Sequence, residues 1–162
     1  MNESTGDNRD DVDVTDSQHA EVIYQMIDRL AGIRRQTVHG PFLGLGAGLA
    51  RAEERLASLY DIGDVVLVDQ QVGPSRLIRG TYVQSDIFSF LQTDQRKFGL
   101  ITALGMEYVF QHEKYWESFW HGLSRVTKPG SVVVVRPNND IPIPFGSPFS
   151  EKLSGPTLIA QR

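Results

Sequence analysis

The order of elements in this 162-residue chain predicts an α/β protein: a doubly wound, mostly parallel sheet of about six strands with helices on both faces. Two observations carry that expectation. Apolar runs of strand length alternate with stretches of helical periodicity, the pattern of βαβ units. A glycine-rich loop, FLGLGAGL (42–49), joins the first such run to a helical stretch, and an aspartate, Asp69, closes the next run. Right-handed crossovers then put the first strand near the middle of the sheet.

The elements follow in order. From Asp16 to Gln36 the residues Val22, Ile23, Met26, Ile27, Leu30 and Ile33 recur at i, i+3, i+4 spacing, so an amphipathic helix is expected, with Asp16 or Ser17 as its cap. Thr37–Leu43 reads as a strand and Leu49–Tyr60 as a helix, with Ala50, Leu56, Ala57 and Leu59 as packing residues. Asp64–Asp69 (DVVLVD) is the continuous apolar run of a strand buried on both faces. Gly80–Gln84 is a weaker strand, Asp86–Leu91 a short helical turn, and Phe98–Leu104 another strand. Glu113–Thr127 is a helix with Tyr115, Phe119, Leu123 and Val126 on one face; Trp116 and Trp120 read as packing residues. Lys128-Pro129-Gly130 is a turn and Ser131–Arg136 (SVVVVR) a strong strand. The proline- and glycine-rich stretch 137–148 is irregular, and Pro156–Arg162 is the last strand.

Composition narrows the functional classes. Hydrophobic residues make up 40% of the chain, enough for a core. Net charge is −4, but residues 1–16 alone hold six acids and one base, which leaves the rest near +1. We therefore expect an acidic disordered tail over 1–16 and a single domain over 17–162. Basic residues occur at most in pairs such as Arg34–Arg35 and Arg96–Lys97, so there is no strong nucleic-acid signal; such a footprint would be more concentrated. No apolar run approaches the ~18 residues of a membrane span. The polar N-terminus lacks the apolar segment of a secretory signal, so a cytoplasmic location is expected. With no cysteine and four histidines lacking ligand-like spacing, no metal site is expected.

The chemistry sits in the glycine loop. Gly44, Gly46 and Gly48 fall at GxGxG spacing, and Asp69 lies 21 positions after Gly48. Such a βαβ unit brings backbone close to a nucleoside at a helix N-terminus and offers a carboxylate to ribose hydroxyls. A dinucleotide fingerprint wants a glycine where Leu49 stands, and a phosphate-binding P-loop needs Gly-Lys-Ser/Thr, which is absent. An NAD-linked reductase is thus the least favoured reading.

Four segments in order, FLGLGAG, VVLVDQ, VQSDIFSF, and FGLITALGMEYV with FWHGLSRVTKPGSVVVV, resemble the class I S-adenosylmethionine-dependent methyltransferases that act on small molecules. They cover about residues 37 to 136. The resemblance implies a Rossmann-like fold, S-adenosyl-L-methionine as cofactor and a small-molecule acceptor. It assigns the cofactor to Gly44, Leu45, Gly46, Gly48, Asp69, Gln70, Asp86, Ile87, Gly105 and Met106. Asp86 also reads as a helix cap, with adenine binding slightly favoured. Glu107, Tyr108 and His112 are candidates for a general base, and Asn138, Asn139 and Asp140 for a substrate-side loop. The chain departs from the family at Phe42, where an acid usually precedes the loop glycines by two residues; at Gly99, usually Asp; and at Tyr108, usually His. It is also short after Arg136, which implies a missing strand and helix and a sheet edge open to a second copy or a partner. These departures favour an alternative: a degenerate methyltransferase fold acting as a non-catalytic binding or partner subunit.

Overall fold

The computed structural model describes residues 9–30, 33–48, 50–73, 80–137, 143–154 and 157–162. It contains seven strands: β1 (Phe42–Leu45), β2 (Val65–Asp69), β3 (Thr81–Gln84), β4 (Phe98–Leu104), β5 (Thr127–Arg136), β6 (Ser150–Ser154) and β7 (Thr157–Gln161). Four helices accompany them: α1 (Arg9–Arg29), α2 (Arg51–Leu59), α3 (Ile87–Thr93) and α4 (Glu113–Val126). One sheet runs β3-β2-β1-β4-β5-β7-β6, parallel from β3 to β5 and antiparallel at β7. The order reverses between β1 and β4, which makes the carboxyl ends of those two strands the natural place for a ligand.

Side-chain alternation divides the core in two. Leu43, Leu45, Val66, Val68, Ile101, Ala103, Val133 and Val135 face α3 and α4. Phe42, Val65, Leu67, Leu100, Val132 and Val134 face α1 and α2. Each central strand is buried on both sides, which is why its sequence is a continuous apolar run.

Several details differ from the sequence expectation. The strand predicted over 37–43 starts only at Phe42, because Arg35–Thr37 form a 3-10 turn and Pro41 has no N–H to give a ladder. The first helix begins at Arg9, so residues 9–16 of the expected tail are helical. Residues 1–8 lie outside the described residues. Tyr115 is exposed, and Trp116 and Trp120 take the buried positions beside Phe119, Leu123 and Val126. The sheet has seven strands rather than six: β6 pairs antiparallel with β7 at the edge, so the hairpin expected to be curtailed is complete. What is short is the connection from β5 to β6, which shows no helix over its described residues 143–149. That connection is pinned on α4, where the Trp116 indole N–H donates to the Gly146 carbonyl at 2.7 Å and Phe149 stacks edge-on against Trp120.

The turn expected at Lys128-Pro129-Gly130 is a bulge at the entry to β5. Thr127 pairs with Phe98, and the register resumes with Val132 opposite Leu100. Ser131 closes the bulge by donating to the Phe98 carbonyl and accepting from the Lys128 N–H. No helix among the described residues is long and apolar enough to cross a membrane.

Gly99 has a physical explanation. A Cβ at this position would stand 2.0 Å from the His39 carbonyl oxygen and 3.2 Å from that of Gly40, both backbone atoms. Replacing Gly99 by Ala is expected to cost about 1–3 kcal/mol of stability, as overpacking of a rigid site does. Urea denaturation of the two proteins checks this; an unchanged midpoint contradicts the close approach.

Candidate functional site

The loop after β1 is held by β2. The N–H groups of Gly46 and Ala47 both donate to the Val68 carbonyl, at 2.8 and 3.2 Å. Gly48 N–H donates to Asp69 Oδ2 at 2.9 Å. The backbone is left-handed at Gly46 (φ 65°), Gly48 (φ 53°) and Ala50 (φ 61°). The left-handed series of the loop is therefore 46, 48 and 50, one step later than the glycine spacing suggests. Gly44 belongs to β1 and is buried; it is needed for close approach to Glu53 and Leu67, whose side chains stand 2.8 and 2.9 Å from where its Cβ would be. Phe42, two residues deeper, is fully buried against the α1 and α2 face and is not at the loop mouth.

Asp69 ends β2 and uses both oxygens. Oδ2 accepts from Gly48 and Oδ1 from the Gln71 N–H, each at 2.9 Å. Each oxygen keeps lone-pair capacity for a further donor. Gln71 in turn accepts from the Tyr82 hydroxyl, and Gln70 from the Gln84 amide, which braces this turn against β3.

Asp86 caps α3: its Oδ2 accepts from the Ser89 N–H at 2.8 Å and the Ser89 hydroxyl at 2.9 Å. The capping reading is thus realised. Burial pushes its carboxyl up, but hydrogen bonds from Ser89, Phe88 and Gln70 outweigh burial and hold it below the usual range.

Between these turns lies a cavity of about 210 Å³ lined by Gly46, Asp69, Gln70, Gln71, Ile87, Gly105, Met106 and Tyr108. It brings together the ends of β1, β2 and β4 and the start of α3. Gly105 is left-handed (φ 72°), and its N–H donates to the Arg136 carbonyl at 2.7 Å. Met106 is buried against Gly46; a Cβ there would stand 2.5 Å from its sulfur. Of the other sequence candidates, Gly44 and Leu45 are buried strand residues, while Gly48 and Asp86 support the cavity through the hydrogen bonds above.

Tyr108 alone of the three general-base candidates lines the cavity. Burial, and then the carboxylates of Asp86 and Asp69, push its phenol above the ordinary tyrosine range, so at neutral pH it is a hydrogen-bond donor and not a base. His112 is exposed at the start of α4, edge-on to Tyr115, and Glu107 sits in a 3-10 turn outside the lining. Asn138, Asn139 and Asp140 lie outside the described residues. Sequence reasoning missed two residues. Gln71 enters through its backbone and carries no side-chain signal. Glu53 is 3% exposed although it reads as a solvated helix acid; the signal for it was Gly44, a missing side chain on the strand it covers.

Two outcomes follow. Asp86→Ala is expected to cost about 0.5–2 kcal/mol near neutral pH, the usual value of an N-cap. Because the folded pKa lies below the unfolded one, that contribution is full above the unfolded carboxylate pKa and disappears as pH falls through the folded value. Denaturation of both proteins over a series of pH values from 7 downward measures it; a difference that does not shrink on acidification contradicts the assignment. Ala50→Gly relieves a left-handed alanine and should raise stability by up to about 1 kcal/mol, read as a higher thermal midpoint.

No protein-family model matches the chain, and no curated protein matches it. Solved structures do. An O-methyltransferase family protein from Burkholderia thailandensis shares 10% identity over 95% of this chain and 59% of its own, with a TM-score of 0.60. The N-methyltransferase NodS from Bradyrhizobium japonicum WM9 shares 13% identity over 88% of this chain and 92% of its own, also at 0.60. CalS10, an amino pentose methyltransferase from Micromonospora echinaspora solved with S-adenosylmethionine bound, shares 16% over 85% and 59%, at 0.58. This chain thus spans less than two thirds of the length of the first and third. At these identities the likeness is one of architecture: the chain has the Rossmann-like fold that these methyltransferases share.

Proposed function

We propose that this protein binds S-adenosyl-L-methionine at the carboxyl ends of β1, β2 and β4 and transfers its methyl group to a small-molecule acceptor. One observation carries the reading. A single cavity gathers Gly46, Asp69, Gln70, Ile87, Gly105 and Met106 from separate segments of the chain, each of them expected at the cofactor from sequence. The fold shared with methyltransferases supports it, among them one solved with this cofactor bound.

The residues fit the group. Asp69 is fixed by two backbone donors and retains acceptor capacity for ribose hydroxyls. Ile87 offers an apolar surface for a flat base beside the capped start of α3. The bare Cα of Gly46 lets the Met106 side chain close against the loop, and both residues line the cavity. The cavity is smaller than the roughly 300–1,000 Å³ of sites for drug-sized ligands, which suits the nucleoside part of the cofactor.

When bound, this cofactor supplies a methyl group already activated on a sulfonium. The protein's part is then to hold and align, which position alone achieves with large effect. Tyr108, kept protonated, donates a hydrogen bond at the cavity rim and orients an acceptor; it takes no proton at neutral pH. The chemistry offered by the described lining thus suits an acceptor that needs no strong base.

Calorimetric titration with S-adenosylmethionine and S-adenosylhomocysteine tests the reading. Binding is expected, and Asp69→Ala should weaken it by about 1–3 kcal/mol. No heat at millimolar ligand refutes cofactor binding. Binding without turnover across a panel of small-molecule amines and alcohols selects the non-catalytic alternative.

A further inference from the structure

On the solvent side of the α3–α4 pair lies a cleft of about 580 Å³ that has no part in the cofactor reading. Its volume falls within the roughly 300–1,000 Å³ of small-molecule sites, which the cavity at the strand ends, about 210 Å³, does not reach. Gly122 makes the cleft. A Cβ at this position would stand 2.8 Å from the Leu91 Cβ, so the two helices meet here with no side chain of Gly122 between them. Leu91 and Gly122 are buried and form an apolar floor.

The two ends of the cleft differ. At one, Phe88 and Tyr115 pair with ring centroids 6.2 Å apart, and Tyr115 is 46% exposed, a large ring left facing water. Toward the other, His121 and Arg125 line the same cleft as i, i+4 neighbours on α4, close enough for one anion to meet both. More positive charge gathers there. Lys97 Nζ donates to the Arg125 carbonyl, and Arg162 Nη1 donates to the carbonyls of Ser124 and Thr127 at 2.7 and 2.8 Å. These cations satisfy the last carbonyls of α4 and offset the negative end of its dipole, which would otherwise repel an anion. The Asp94 carboxylate, just past α3, is already held by Arg96 at 2.6 Å. Among the described residues of the lining the one acid is Glu117, and Lys114, three residues away on α4, offsets it. From Tyr115 to Arg125 the cleft follows α4 for about 15 Å, at the rise of an α-helix.

We infer that the α3–α4 cleft is a binding site for an amphipathic small-molecule carboxylate, its acid held by His121 and Arg125 and its apolar body laid over Leu91 toward the Phe88–Tyr115 pair. Each half of the ligand answers one half of the lining. The floor and the ring pair gain by covering apolar surface. The guanidinium offers a carboxylate charge-assisted hydrogen bonds, which a neutral head does not match and a cationic head opposes. The site stands apart from the cofactor cavity: Ile87 lines that cavity, and Phe88, the next residue of α3, lines the cleft. The inference therefore does not rest on the S-adenosylmethionine reading.

The test uses three ligands with one chain and different heads: decanoate, decanol and decyltrimethylammonium. Calorimetry should show saturable binding of decanoate to the wild type, about tenfold or more tighter than either of the others. Arg125→Glu should weaken decanoate by about tenfold or more and leave decanol within about twofold, while Arg125→Lys keeps most of the decanoate affinity. Ser118→Trp fills the cleft from its α4 wall and should weaken decanoate and decanol together. Arg125 and Ser118 are exposed, so these variants should keep the wild-type thermal midpoint. The absence of saturable binding at millimolar decanoate overturns the inference. So does a decanoate affinity that Arg125→Glu or Ser118→Trp leaves unchanged, and so does displacement of decanoate by S-adenosylhomocysteine, which would put both in the other cavity. Light scattering reads the remaining occupant: a dimer that Ser118→Trp disperses gives the cleft to a second copy of the chain and overturns the inference too.

Discussion

Asp69 ties two turns together with one carboxylate, and the site depends on that tie. The register of β1 on β2 puts Leu45 opposite Val68, so the next residue of β2 arrives beside the loop that leaves β1. Gly46 and Ala47 then close on the Val68 carbonyl, and Gly48 on the Asp69 side chain. The same carboxylate fixes the turn toward β3 through Gln71. Remove it, and the Gly48 and Gln71 N–H groups both lose their acceptor, so the end of the loop that leads into α2 and the turn toward β3 are released together.

The strand interior explains why such a tie is available at all. Because β1 and β2 are covered on both faces, their apolar side chains lock the register; a slip of one residue would turn Leu43 and Leu45 away from α3 and α4 and Phe42 toward them. Polar work is left to the residues just past the strand ends, where the ladder stops and backbone donors become free. Gly105 follows the same rule after β4, its N–H closing on the Arg136 carbonyl of the neighbouring strand.

How much of this was legible in the sequence differs element by element. The central strands announce themselves as apolar runs, and the loop, Asp69 and Gly105 are legible because turn geometry demands particular residue types. β6 is not: SEKLS is a polar edge strand with Leu153 exposed, so it has no buried face to leave a pattern. The loop register is hidden for another reason. Ala50 adopts a left-handed conformation that its side chain does not advertise, so the glycines point one step too early. Glu53 is obscured in the same way, since an acid in the first turn of a helix normally faces water. Only the paired vacancy at Gly44 reveals it, and that pairing is a fact of three dimensions.

The cavity has a further property that follows from its lining. Among the described residues of its lining the one charged side chain is Asp69, and none is a lysine or arginine. With Asp86 close behind, the carboxylate field that adds to burial in raising the Tyr108 phenol acts on anything that enters. A cation is drawn in, and its neutral counterpart is not. Under the proposed function the ligand arrives with a positive sulfonium and leaves as a neutral thioether, so the cleft grips the reactant more firmly than the spent product. The electrostatics that help to load the site thereby also help to empty it.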